Sequence, residues 1–315
     1  HRAGNDEGRP TRTARRRSMM RRRENRDGLI MIGPILLIVT AVILVPLLWT
    51  VILSFQEARY ADVARNGLFN EFTLDNYIDV FTSPGFWKSL GTTVVYSVGT
   101  TVGSIVVGLV AALAFRTKFP FRAPLRAVML LPYVAPVVAA AFVWEVMLNP
   151  QYGVVNAIGT QYLGWPSPIN FLGTAPQALT TVIVFEIWRY FPFAFLFLTA
   201  AITGLSREIE EAAVVDGATP VQKFFYVVLP QLLPTIALLS LLRLVMTFNK
   251  FDDIYLLTGG AAGTQVAAVR IYDQLVGSSD IGAASANAVV LALILGVVLL
   301  VYSRFFMKSE NGSRR

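Results

Sequence analysis

Cysteine is absent from the 315-residue chain, and histidine occurs once, at position 1. Without cysteine there is no disulfide, no thiol nucleophile, no iron–sulfur cluster and no thiolate-ligated zinc. A lone terminal histidine argues against a buried imidazole or a histidine-based metal cluster. Charge is scarce too: Asp, Glu, Lys and Arg make up 15% of the residues, where soluble domains carry about 25%. Three signatures of catalysis are also missing: a G-x-x-x-x-G-K-[ST] phosphate loop, an H-E-x-x-H helix and a G-x-S-x-G elbow. The chain is therefore read as a non-enzyme with no catalytic or metal-binding residue and no ATP site of its own. Its energy source is expected in another subunit or in an ion gradient.

Apolar residues, by contrast, make up 55% of the chain, and the mean hydropathy is +0.57. A spanning helix needs about 20 mostly apolar residues. Six segments qualify, near 29–55, 87–115, 124–148, 179–204, 233–257 and 284–307. In hydrocarbon the backbone must satisfy its own N–H and C=O groups, so helices are expected throughout. The fold class is all-α and polytopic, and the lipid bilayer is the first partner. Six spans are too few for transporters built from two six-span halves, but they suit one half of a dimeric transporter.

The net charge of +7 is local. Residues 1–27 hold ten arginines and four acids, so the rest of the chain is nearly neutral. An arginine-rich segment ahead of an apolar run is the expected cytoplasmic anchor, not a nucleic-acid arm. The apolar run is also too long for a cleavable signal peptide, and no small-residue cleavage site follows. With this tail inside, 20 Lys and Arg residues fall on the inner side and five on the outer. Both termini are then cytoplasmic. The expected organisation is a basic tail at 1–28, a transmembrane domain at 29–307 and a short cytoplasmic tail at 308–315.

Between the fourth and fifth spans lies REIEEAAVVDGATPVQKFFYVVLPQLLP. Its glutamates and alanines favour a helix that Gly217 can end through a left-handed turn. Thr219 reads as an N-cap with Pro220 in the first turn of a second short helix. Pro230 and Pro234 are expected at the entry to the fifth span. Small alanines permit close approach of another protein, and the acids give that contact charge. Further polar groups lie in the spans, where each charge costs about 2.5–3.5 kcal/mol on insertion scales. Glu186 and Arg189 share a face of the fourth span, and Arg243 and Lys250 share one on the fifth. Asn249, Asp252 and Asp253 do likewise. These residues either line a hydrophilic path or pair structurally, for example Glu186 with Arg189. Tyr255, Trp188 and Phe248 either stack on a sugar ring or pack as ordinary apolar groups.

The pattern Glu211-Ala212-Ala213, Asp216-Gly217-Ala218, Phe224 and Leu229-Pro230 resembles the EAA loop of permease subunits of binding-protein-dependent ABC importers. The resemblance runs over about residues 29–307. LRAVMLLPYVAPVVAAAFVWEVMLNPQYGVVNAIG, FEIWRYFPFAFLFLTAAITGL, FNKFDDIYLLTGG and IGAASANAVVLALILGVVLL look like successive spans of sugar-importer permeases of the maltose and glycerol-phosphate branch. That branch usually reads TGGGP after the fifth span. Here Thr258-Gly259-Gly260-Ala261-Ala262 stands instead. The turn is expected to survive on its two glycines.

The resemblance implies the type I ABC importer permease fold and a set of partners. These are a second permease, two ATPase subunits that bind ATP and magnesium, and an extracytoplasmic solute-binding protein. The coupling loop at about 205–232 would seat its first helix in an ATPase groove. Glu211 would make the charged contact, Ala212 and Ala213 would allow close packing, and Gly217 would hold the turn. Asn249, Asp252, Asp253, Tyr255, Glu186 and Arg189 are the candidates for the solute path. An ion-gradient-driven transporter or channel half is the alternative from another class. It would need protonatable groups deep in the spans, of which Glu186 is one.

Overall fold

The computed structural model describes residues 32–312 except positions 68 and 118, with side chains described as far as Arg304. The basic tail at 1–28 and the last three residues lie outside the described residues. The chain divides into two units, His1–Leu53 and Ser54–Arg315. The first contains all but the last residue of α1, Ile32–Ser54, an apolar helix without a charged residue. Its turn at Thr40–Leu44 is a π-helix. Pro46 lacks an N–H, and its ring crowds the carbonyl four residues back, at Val42. The wider π turn gives that carbonyl room.

In the second unit, α2 (Tyr60–Asn66) and α3 (Asp75–Thr82) precede the long α4, Pro84–Ala114. α4 packs along α8, Gln177–Thr203, for most of its length. Small residues make the close passage possible. A Cβ built on Gly108 would fall 2.6 Å from the Ala194 Cβ. The inner face of α4 carries hydroxyls rather than aliphatics: Ser89, Thr93, Ser97, Thr100, Thr101 and Ser104 are all buried. Thr93 and Thr100 turn their hydroxyls back onto the carbonyls of Ser89 and Tyr96, both at 2.7 Å. These two, with Ser104, are satisfied within their own helix, whereas Ser89 and Thr101 reach Gln265 and Thr247 on other elements, and the small side chains give the helix a slim surface.

Two expected spans are broken. Residues 124–148 do not form one straight helix but two, α5 (Arg122–Val134) and α6 (Val137–Leu148), meeting at 97°. Pro136 drives the preceding residue out of the helical region, and Ala135 adopts φ −61°, ψ 136°. Among the described residues, five helices are long and apolar enough to cross a membrane, or six if the bent pair counts as one span. The fifth expected span also stops early. α10 runs Pro220–Phe248, and α11 (Asp252–Thr258) begins after a break at Asn249, Lys250 and Phe251. Asp252 and Asp253 fall in the first turn of α11, where the helix dipole favours negative charge. Asn249, Asp252 and Asp253 therefore do not share one helix face.

The hairpin is α9, Arg207–Val215, followed by the start of α10. The expected separate second helix is instead continuous with the fifth span. A π turn at Phe224–Val228 absorbs Pro230, whose ring faces the Tyr226 carbonyl, and Leu229 N–H reaches back five residues to Phe224. Pro230 and Pro234 thus lie inside a helix rather than at its entry. The remaining elements are α7 (Val154–Tyr162), α12 (Ala267–Tyr272) and α13 (Ile281–Gly312). Gly259 and Gly260 turn the chain after α11 at φ 60° and 82°, as their retention implies.

Apolar side chains pack α4, α8 and α10 together at the hairpin end through Ala112, Phe195, Leu198, Leu232 and Leu239. A second layer at the other end joins Tyr96, Val182, Phe185, Ile254 and Val269. Between the two layers lies a cluster of charges.

Candidate functional site

Two features concentrate polar groups: the buried charge cluster and the hairpin. In the cluster, Arg243 of α10 donates to Glu186 of α8 at 3.1 Å, and both side chains are fully buried. Arg189, one turn along α8, donates to Asp253 at 2.8 Å and to the Ala135 carbonyl at 3.5 Å. One guanidinium therefore tethers both helix breaks. Lys250 lies 3.1 Å from Asp252 and 3.3 Å from Asp253. Glu186 and Arg189 do not pair with each other, although they are three residues apart. Each finds its partner on another element, because the shared face of α8 points at α10 and α11.

The Tyr190 ring sits among the three cations. Arg243 lies 4.2 Å from its centroid, Lys250 5.0 Å and Arg189 5.5 Å. Its hydroxyl accepts from Lys250 at 3.1 Å. The ring face is electronegative, so it stabilises cations that would otherwise repel. Three cations and three carboxylates balance, yet Glu186 Oε2 and Arg243 Nε and Nη1 remain without a partner. The sequence singled out Glu186, Arg189 and Asp253 but gave Tyr190 no role, and counted Arg116 only among the inner-side positive charges.

The other path candidates differ in exposure. Asn249 is exposed and turns its amide onto the Val245 carbonyl of its own helix at 3.2 Å. Asp252 keeps nearly half of its side chain exposed. Tyr255 stacks on Phe251 at 4.9 Å with an exposed flank. Trp188 packs against Trp144 and Phe185, and Phe248 is buried in a core layer.

In the hairpin, α9 ends in a Schellman motif. Gly217 N–H reaches the Val214 carbonyl and Ala218 N–H the Ala213 carbonyl, both at 3.0 Å. Gly217 takes φ 82°, as its position predicts. Thr219 and Gln222 form a capping box, with Gln222 Oε1 accepting from Thr219 N–H at 2.8 Å. Glu211, Ala212 and Asp216 are exposed, Ala213 and Ala218 partly so. Leu229 is half-buried and Pro230 exposed, beyond the π turn.

The buried acid of the hairpin is Glu210, which sequence reasoning treated only as a helix former. Arg116, just past α4, grips it with both terminal nitrogens, one at 2.8 Å, and Lys223 lies 3.8 Å away. The Arg116 hydrogen bonds hold the Glu210 carboxyl below the usual carboxylate range, against an opposing effect of burial. Around this anchor the hairpin exposes apolar side chains, notably Val215 at 87% and Tyr226 at 80%. Clustered exposed apolar groups on a folded surface mark a protein contact.

Comparison with known proteins identifies the family of the chain. Residues 104–309 match the family described as binding-protein-dependent transport system inner membrane component. The chain is 32% identical to the inner membrane ABC transporter permease protein YcjO of Escherichia coli over 87% of its length and 92% of that protein. It is also 32% identical to the trehalose/maltose transport system permease protein MalF of Thermococcus litoralis, over 91% and 97%. A crystal structure of a bacterial ABC transporter for alginate import contains a chain of the same fold, with TM-score 0.78 and 22% identity. The match covers 92% of this chain and 99% of that one.

Proposed function

Because the chain belongs to the family of inner membrane components of binding-protein-dependent transport systems, we propose that it forms half of a sugar importer's pore. A second permease would supply the other half. Two ATPase subunits would bind ATP and magnesium, and an extracytoplasmic binding protein would deliver the solute. A sugar or related polar solute is supported by relatives named for trehalose/maltose, diacetylchitobiose and sn-glycerol-3-phosphate. The hairpin is the observation that carries the coupling. Its Schellman turn holds α9 in place, Glu211 and the exposed apolar groups face outward, and α10 continues directly into the membrane.

Glu211, Ala212, Ala213, Asp216, Gly217 and Ala218 form the contact with an ATPase subunit. Leu229 and Pro230 belong to the helix that carries its movement into the pore. Asn249, Asp252 and Tyr255 meet the solute, and the paired Glu186, Arg189 and Asp253 form the wall behind them. The hairpin faces the cytoplasm, and so do both termini, in a bacterial or archaeal cell membrane. The test is purification with native neighbours. Co-purifying ATPase subunits, with hydrolysis stimulated by sugar-loaded binding protein, support this reading. Uptake that proceeds without ATP overturns it in favour of an ion-driven carrier.

A further inference from the structure

At the end of α4 opposite the hairpin, α3, α12 and the start of α13 line an open cavity of about 430 Å³. This volume falls within the roughly 300–1,000 Å³ of small-molecule sites. Three buried polar atoms on its lining residues have no hydrogen-bond partner: Arg270 Nε, Gln274 Oε1 and Asn287 Oδ1. Asn287 is only 2% exposed. Its Nδ2 donates to the Ala283 carbonyl at 2.9 Å, which fixes the amide so that the oxygen is the free end. Arg270 is held by a bond to Ser83 Oγ at 3.1 Å, and Gly85 leaves the space beside it. Asn76 is locked onto the Gln56 carbonyl at 2.9 Å. Asp79 and Asp280 complete the lining.

Buried polar groups are ordinarily paired, and these three call for a partner, water or solute, that donates to two oxygens and accepts from one N–H. An anion offers acceptors alone and would face Asp79 and Asp280. An ammonium offers donors alone and would face Arg270. A hydroxyl does both. We propose that the cavity is a binding site for a neutral polyhydroxylated solute, separate from the buried charge cluster. α4 has 31 residues at about 1.5 Å each, which puts the site about 45 Å from the hairpin. Solute would occupy it on the face opposite the ATPase contact, before entering the path. Its physiological ligand rests on the sugar-import reading; the chemistry of the cavity does not.

The absence of cysteine supplies the assay. Ser278 is an exposed lining residue, so Ser278→Cys is labelled with an impermeant thiol reagent on the full complex in nanodiscs, without ATP or binding protein. Maltose and glycerol serve as probes, with betaine at equal osmolality as the control. Maltose or glycerol should slow labelling several-fold and betaine should not. Asn287→Leu, and separately Gln274→Met, should abolish the protection. Equal labelling with and without maltose and glycerol means that the cavity holds only water, and it overturns the proposal. Protection by betaine, or protection that survives both substitutions, overturns it as well. Stimulation of ATP hydrolysis by sugar-loaded binding protein is measured on the same complex. Its absence removes the importer reading but leaves a positive protection result standing.

Discussion

Arg243 and Glu186 meet at 3.1 Å across α10 and α8 with neither side chain exposed. Removing one partner leaves the other charged and buried, at a cost of about 3–5 kcal/mol. Glu186→Leu and Arg243→Met should each sharply lower the unfolding temperature of the detergent-solubilised protein. The double variant should recover most of that loss, because an apolar pair needs no compensation. Additive losses in the double variant would show that the two residues act independently.

Glu210 is expected to anchor the hairpin through Arg116. Its carboxyl is depressed in the folded state, so its stabilising contribution is complete above the unfolded value near pH 4.3 and fades as pH falls below that through the depressed value. Protection of residues 207–215 from hydrogen exchange should therefore stay constant between about pH 7 and 5.5, once rates are corrected for intrinsic exchange. Glu210→Gln should raise it at pH 7. A wild-type exchange rate in that variant would show that the apolar contacts of α9 suffice.

A Cβ on Gly217 would meet open space, but φ 82° is a backbone conformation that costs a β-branched residue about 1–2 kcal/mol. Gly217→Val should abolish solute-stimulated ATP hydrolysis in the reconstituted complex and weaken ATPase binding, and membrane insertion should be unchanged. Gly217→Asn should lose much less, since asparagine tolerates the left-handed region. Glu211→Lys should lose stimulation by charge alone. Wild-type stimulation in Gly217→Val and Glu211→Lys together would remove the coupling role of the hairpin.

For the solute path, Asp252→Ala and Tyr255→Ala should raise the KM of uptake. Losing one sugar hydrogen bond costs about 0.5–1.5 kcal/mol, or roughly 2- to 12-fold. Asn249→Ala should fall at the low end, because its amide already bonds its own helix. Unchanged kinetics in all three would place the path elsewhere.

Topology can be read in the same cysteine-free background. An impermeant thiol reagent applied from outside should label Ser167→Cys and should leave Ala14→Cys and Ser313→Cys untouched. Labelling at either terminus would invert the assignment and move the hairpin to the outer face.

Local chemistry was legible in the sequence, and long-range pairing was not. The Gly217 turn and the Thr219–Pro220 start depend on neighbours within a few residues, and both stand where the sequence put them. The partners of Glu186 and Arg189 lie 57 and 64 residues away, so spacing along one helix suggested the wrong pairing. The bend at Ala135 was encoded in Pro136, but an apolar run of spanning length masked it. Glu210 and Glu211 look alike in sequence. Only the position of Arg116 shows that the first turns inward as an anchor and the second outward.

The π turn at Phe224–Val228 has one further consequence, for insertions and deletions. A π turn holds one residue more than the α-helix around it, and elsewhere in α10 one residue more or less would rotate everything beyond it by about 100°. Such a rotation would swing Arg243 away from Glu186 while the hairpin stayed in place. Deleting one residue within Phe224–Val228 instead closes the bulge and leaves both faces in phase. A one-residue change of length in this helix is therefore expected to be tolerated best within that turn, which acts as the phase adjuster between the hairpin and the buried charges.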